Sequence, residues 1–212
     1  MKTNNIILLG DCHSFKTSYM KYLLDKYEPN KRYENTIGIN MSSIKINNDL
    51  KFNIYDTSGK ENHKKYIETY CEISNIAIFF INSINIIDNI KKYDLINSWI
   101  DLYLSNNKDG KYFIFHINNN DNKNRTIDLT KLYDKGSSYV KLYEINIKNF
   151  KEQRQNKNNI IKINNKIFMY IRDNINSTNN IDDINKTYNY VNEDNNNNYY
   201  NFFNKILKCN IL

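Results

Sequence analysis

Gly10-Asp11-Cys12-His13-Ser14-Phe15-Lys16-Thr17 carries the residue types of a phosphate-binding loop. Such a loop, G-x-x-x-x-G-K-[ST], aims backbone N–H groups and a helix N-terminus at phosphate oxygens. The spacing lets Lys16 reach terminal phosphates and places the Thr17 hydroxyl where magnesium is held. Gly10, Lys16 and Thr17 fit the pattern, but Phe15 stands where a second glycine is expected. Glycine there allows a left-handed backbone and close approach to the ligand. Phenylalanine suits neither demand, and His13 adds further bulk. The candidate cradle is Gly10, His13, Ser14, Phe15, Lys16, Thr17 and Ser18. Taken alone, this motif is equally compatible with a Lys-Thr pair in an ordinary first helical turn.

The flanks favour the loop. Ile6 to Leu9 is a short apolar run, as in a buried parallel strand. Tyr19, Met20, Leu23, Leu24 and Tyr27 then fall on one face of a helix predicted over 18–27. Met41–Ile46 and Leu50–Tyr55 read as strands around the turn Asn47-Asn48-Asp49. Further buried strands are expected at 76–81, 112–117 and 139–145. A helix with Ile90, Ile96, Trp99, Ile100 and Tyr103 inside separates the first two. Ile160, Ile163, Ile167, Ile171 and Ile175 suit a closing helix. Alternation of this kind predicts an α/β fold, a six-stranded mostly parallel sheet with helices on both faces. Ligands in such folds sit at the carboxyl ends of the strands.

Composition narrows the function classes. The chain has 212 residues, 40% of them hydrophobic, enough for one domain with a core. A domain over 1–176 and an Asn-rich flexible tail over 177–212 are expected. Asparagine is very common throughout, so a polar residue at a motif position carries little weight. The net charge of +7 is spread over scattered lysines, which argues against a nucleic-acid partner. Cys12, Cys71 and Cys209 have the spacing of neither a zinc site nor a disulfide framework. Cys12 reads as a small filler of the loop, since no His–acid pair is placed to activate it. A reducing compartment follows. Lys2 to Asn5 lead straight into a strand, without the pattern of a signal peptide.

Three further segments carry chemistry. Asn35-Thr36-Ile37-Gly38 precedes the hairpin, and Asp56-Thr57-Ser58-Gly59-Lys60-Glu61 follows it. Asn118-Asn119-Asn120-Asp121 follows the strand at 112–117. In order and spacing these resemble the switch and base-recognition segments of the Ras superfamily, the Rab proteins in particular. The resemblance spans about residues 2–175 and includes Tyr70 and Trp99. It implies a P-loop small GTPase domain that binds GTP or GDP with Mg2+. Thr17, Thr36 and Asp56 would then serve the magnesium, and the Gly59 N–H the γ-phosphate. Asp121 would accept hydrogen bonds from guanine, with Asn118 bracing the loops. Asn119 replaces the family's lysine. Asn146, Ile147 and Lys148 take the place of its Ser-Ala-Lys loop, keeping only the lysine.

Lys60 replaces the family's water-orienting glutamine. An ammonium only donates hydrogen bonds, whereas an amide also accepts them. Hydrolysis is therefore expected to be slow, with Lys60 the residual catalytic candidate. Two readings stay open: a slow GTP-binding switch in vesicle traffic, and a pseudo-GTPase scaffold that keeps the fold without cycling. Effectors, exchange factors and GTPase-activating proteins are the implied partners, through the switch segments.

Cys209-Asn210-Ile211-Leu212 has the form of a C-a-a-X prenylation signal, and the final leucine favours geranylgeranyl. A single prenyl chain needs a second signal for stable anchoring. Lys186, Lys205 and Lys208 face Asp182, Asp183, Glu193 and Asp194, so the tail is not polybasic. The aromatic run from Tyr199 to Leu207 either lies in the membrane interface or folds back on the domain. The expected location is the cytoplasmic face of intracellular membranes, cycling with the cytosol. Cys209→Ser should move the protein from the membrane pellet to the supernatant on cell fractionation. Unchanged pelleting would refute the lipid.

Overall fold

The computed structural model describes residues 2–24, 26, 34–45, 50–82, 89–118 and 139–146. In chain order the elements are β1 (Lys2–Leu9), α1 (Lys16–Leu23), β2 (Ile39–Lys45), β3 (Leu50–Thr57), a 3-10 turn (Glu61–His63), α2 (Lys64–Ile73), β4 (Ile76–Asn82), α3 (Asn89–Asn106), β5 (Lys111–Asn118) and β6 (Tyr139–Asn146). The expected closing helix, tail and Cys209 lie outside the described residues, as do the turn at 47–49 and Tyr27.

The sheet has six strands in the order β2-β3-β1-β4-β5-β6. Five are parallel, and β2 runs antiparallel along β3. The α/β class and strand count expected above are therefore found. β1 sits centrally between β3 and β4. Its carboxyl end, where the phosphate loop begins, lies inside the sheet rather than at its margin.

Central strands covered on both faces need continuous apolar runs. Ile6 to Leu9, Ile76 to Ile81 and Tyr112 to Ile117 supply them and are buried throughout. Ile96, Trp99, Ile100 and Tyr103 form the inner face of α3, packed on Ile7, Leu9, Phe79 and Ile114. Tyr19 of α1 meets Phe80 and Phe115, with ring centroids 5.2 and 5.3 Å apart. Edge-on arrangements of this kind add to the area that the rings bury.

Two differences from the periodicity have physical causes. β1 starts at Lys2, well before its apolar run. Asn5 replaces apolar packing with pairing: its side chain donates to the Ile73 carbonyl at 2.9 Å and accepts from Asn53 Nδ2 at 3.0 Å. The Asn5 N–H donates to Asn75 Oδ1 at 2.9 Å, and Ser43 extends the chain to Asn53 at 2.8 Å. Helix α2 had no sequence prediction, because only Ile67 and Cys71 of its ten residues are buried. α1 begins at Lys16, two residues before the predicted helix.

Asn5→Ala leaves two polar partners, the Ile73 carbonyl and the Asn53 amide, without their bonds. It should lower unfolding free energy by about 1–3 kcal/mol in a urea titration. Asn5→Ala combined with Asn53→Ala should cost less than the sum of the single changes.

Candidate functional site

The phosphate loop leaves β1 and enters α1 with no intervening element. Gly10 has φ +135°, and a Cβ there would lie 2.3 Å from the Phe80 carbonyl oxygen. Only glycine permits β1 and β4 to approach at this point. His13 (φ 59°) and Phe15 (φ 73°) are both left-handed. Phe15 thus takes the conformation that the missing glycine would take. The poor fit expected of Phe15 is met as strain: the path is kept, at a steric cost of about 1–2 kcal/mol for such a residue.

Lys16 is 5% exposed. Its Nζ donates to the Gly10 carbonyl at 2.6 Å, the Asp11 carbonyl at 2.7 Å and Ser14 Oγ at 3.1 Å. The side chain thus bends back over its own loop. Burial lowers its pKa to about 8, against the pull of Asp56, Cys12 and Asp11. The amine still carries its charge at neutral pH.

Thr17, Thr36 and Asp56 come together from α1, the first switch segment and β3. Thr17 Oγ1 donates to Asp56 Oδ2 at 2.8 Å, and Thr36 Oγ1 donates to the same oxygen at 3.3 Å. The two hydroxyls lie 2.9 Å apart. Asp56 is fully buried, and its Oδ1 has no hydrogen-bond partner among the described residues. Burial pushes this carboxyl up, while Thr17, Lys16 and Thr36 pull it down. Two hydroxyls and a carboxylate with an unsatisfied oxygen form a hard, all-oxygen donor set that fits magnesium. The predicted magnesium residues are thereby brought into one cluster.

The second switch segment rests on the loop. A Cβ at Gly59 would lie 2.1 Å from the Cys12 nitrogen and 2.2 Å from the Asp11 carbonyl carbon. The Ser58 N–H donates to the Gly38 carbonyl at 2.8 Å, tying the two switch segments together. The Thr57 hydroxyl donates to the Leu8 carbonyl at 2.7 Å. Lys60 is exposed. The cleft bounded by His13, Phe15, Thr17, Asn35, Thr36 and Gly59 has a cavity of about 10 Å³. That is room for about one water.

At the other end of the sheet, Asn118 and Asn146 face each other in register at the ends of β5 and β6. The strand ends that precede the two candidate base-recognition segments are therefore neighbours in the sheet. Asn119, Asp121, Ile147 and Lys148 lie outside the described residues. Sequence reasoning missed three contributors. Trp99 Nε1 donates to Asp11 Oδ1 at 3.0 Å, and Asn82 Nδ2 donates to the His13 carbonyl at 2.9 Å. Lys64 lies over the Trp99 ring, 4.6 Å from its centroid. The one available signal was the position of Asn82 at a strand's carboxyl end.

Gly59→Ala should destabilise the domain by about 1–3 kcal/mol, because its Cβ meets backbone rather than a side chain. A denaturant midpoint reads this, and an unshifted midpoint would refute the close seating.

A family model, "Ras of Complex, Roc, domain of DAPkinase", matches residues 5–121, over half of the chain. The matched stretch runs from β1 through the phosphate loop, both switch segments and β5. The chain belongs to the Roc family, within the Ras superfamily of GTPase domains.

Proposed function

We propose that this chain is a guanine-nucleotide switch of slow intrinsic turnover. The observation that carries the reading is the cluster of Thr17, Thr36 and Asp56 around one buried carboxylate. Three segments distant in sequence supply it, and two of them are the segments a switch must move. Thr17, Thr36 and Asp56 would hold magnesium, which supplies charge neutralisation at the terminal phosphates when bound. Lys16 would add its own charge, and the first turn of α1 its N–H groups. Lys60 can only donate to a phosphate oxygen, so water activation awaits a group from a partner.

Within this reading the domain is Rab-like and acts in vesicle traffic. Support comes from the order of the switch motifs about β2 and β3, and from Tyr70, whose ring meets Tyr55 at 5.2 Å. Ile37, Met41 and Tyr66 are 87%, 64% and 70% exposed. Large apolar side chains held in water on the switch segments and β2 suit recognition by effectors, exchange factors and activating proteins. A prenyl group on Cys209 would hold the switch at the cytoplasmic face of membranes.

A second reading, a pseudo-GTPase scaffold, draws on Phe15, which stands where the motif has glycine, and on the narrow cleft beside it. Titration with fluorescent GDP and GTP, with and without magnesium and with ATP as competitor, separates the two. Guanine-selective, magnesium-dependent binding is expected, weakened about 10-fold or more by Asp56→Asn. Absence of binding at high micromolar nucleotide would establish the scaffold instead.

A further inference from the structure

The phosphate loop holds a shape that its own residues oppose. His13 and Phe15 are both left-handed, where β-carbon sterics favour glycine. Strain of this kind persists only where the surroundings over-determine the backbone. Two hydrogen bonds from outside the loop belong to those surroundings. The Trp99 indole N–H donates to Asp11 Oδ1 at 3.0 Å, from the buried face of α3. The Asn82 amide donates to the His13 carbonyl at 2.9 Å, from the end of β4. These bonds bracket the left-handed residue His13 and stop just short of Phe15.

The Trp99 anchor is itself tied to the second switch. Lys64, the first residue of α2, lies over the indole ring 4.6 Å from its centroid. The same ammonium reaches Ser98 Oγ at 3.1 Å and Glu61 at 2.9 Å. Glu61 belongs to the switch turn, and Ser98 precedes Trp99 on α3. Lys64 therefore joins the switch turn to the residue that holds the loop. Burial raises the pKa of the Asp11 carboxyl, against the pull of the Trp99 bond, Lys16 and Lys64.

We propose that Trp99 and Asn82 are positioning residues that hold the phosphate loop in a glycine-like shape, and that Lys64 couples this clamp to the second switch segment. The proposal deepens the switch reading and rests on it only for the ligand that the loop would receive. Neither Trp99 nor Asn82 needs to touch that ligand. Their effect passes through Asp11 and His13.

Backbone amide exchange over 11–17 tests the clamp in the full chain, with strands β4 and β5 as internal reference. Asp11→Ala should speed exchange in the loop about fivefold, the worth of one hydrogen bond. Asp11→Asn keeps an oxygen acceptor for the indole and should restore the wild-type rate. Asn82→Ala and Lys64→Met should each speed loop exchange, and Lys64→Arg should not. In a Phe15→Gly background the Asp11→Ala effect should shrink, since glycine needs less holding. Unchanged loop exchange in Asp11→Ala would overturn the proposal. So would an equal rise across β4 and β5, which marks general destabilisation, or an undiminished effect in Phe15→Gly. Calorimetric titration with GDP runs alongside. A loop that responds as expected in a protein that binds no GDP supports the clamp and fails the nucleotide reading alone.

Discussion

A single carboxylate, Asp56, sits at the point where the domain's parts meet. It lies one residue before the end of β3, is fully buried, and receives hydroxyls from α1 and from the first switch segment. A charge in such a place is tolerable only with partners. Thr17 and Thr36 satisfy one oxygen, and Lys16 supplies positive charge nearby. The other oxygen lacks a partner among the described residues. The first switch segment is thus tied down by polar bonds, the Thr36 hydroxyl to this carboxylate and the Gly38 carbonyl to the Ser58 N–H. Ile37 beside it stands almost fully in solvent. A segment held this way can leave when a better partner for the carboxylate appears.

The same economy governs the loop before it. Glycines normally give a phosphate loop its shape at little steric cost. This chain keeps Gly10, where β1 must pass the Phe80 carbonyl, and Gly59, where the second switch rests on the loop backbone. It abandons glycine at Phe15 yet keeps the path. Tertiary contacts have taken over what local freedom would have supplied. Close approach of two backbones cannot be compensated, whereas an unfavourable φ can be held from outside.

This division explains what was legible beforehand. The central strands were read from continuous apolar runs, and α3 from its inner stripe, because burial imposes period and hydrophobicity directly. Thr17, Thr36 and Asp56 were found through their order around a hairpin, which the sheet then folds into one cluster. The polar half of β1 was invisible, since Asn5 holds its place by side-chain hydrogen bonds that carry no periodicity. Helix α2 was invisible because two buried residues leave almost no stripe. Phe15 was read as damage because residue type alone reports preference, and the clamp on the loop comes from residues about seventy and ninety positions away.

Trp99 has one more property that follows from its place. It is the only tryptophan of the chain. Its indole bonds to the phosphate loop, carries an ammonium from α2 on its face and is buried against the sheet. Indole emission depends on nearby charge and polarity, and here both are set by the parts of the domain that a switch moves. The protein therefore contains its own optical probe at the junction of loop, switch helix and core. The eighteen tyrosines contribute at shorter wavelength and leave that signal separable. A conformational change at this junction is visible in the unmodified chain, with no dye attached and no residue exchanged.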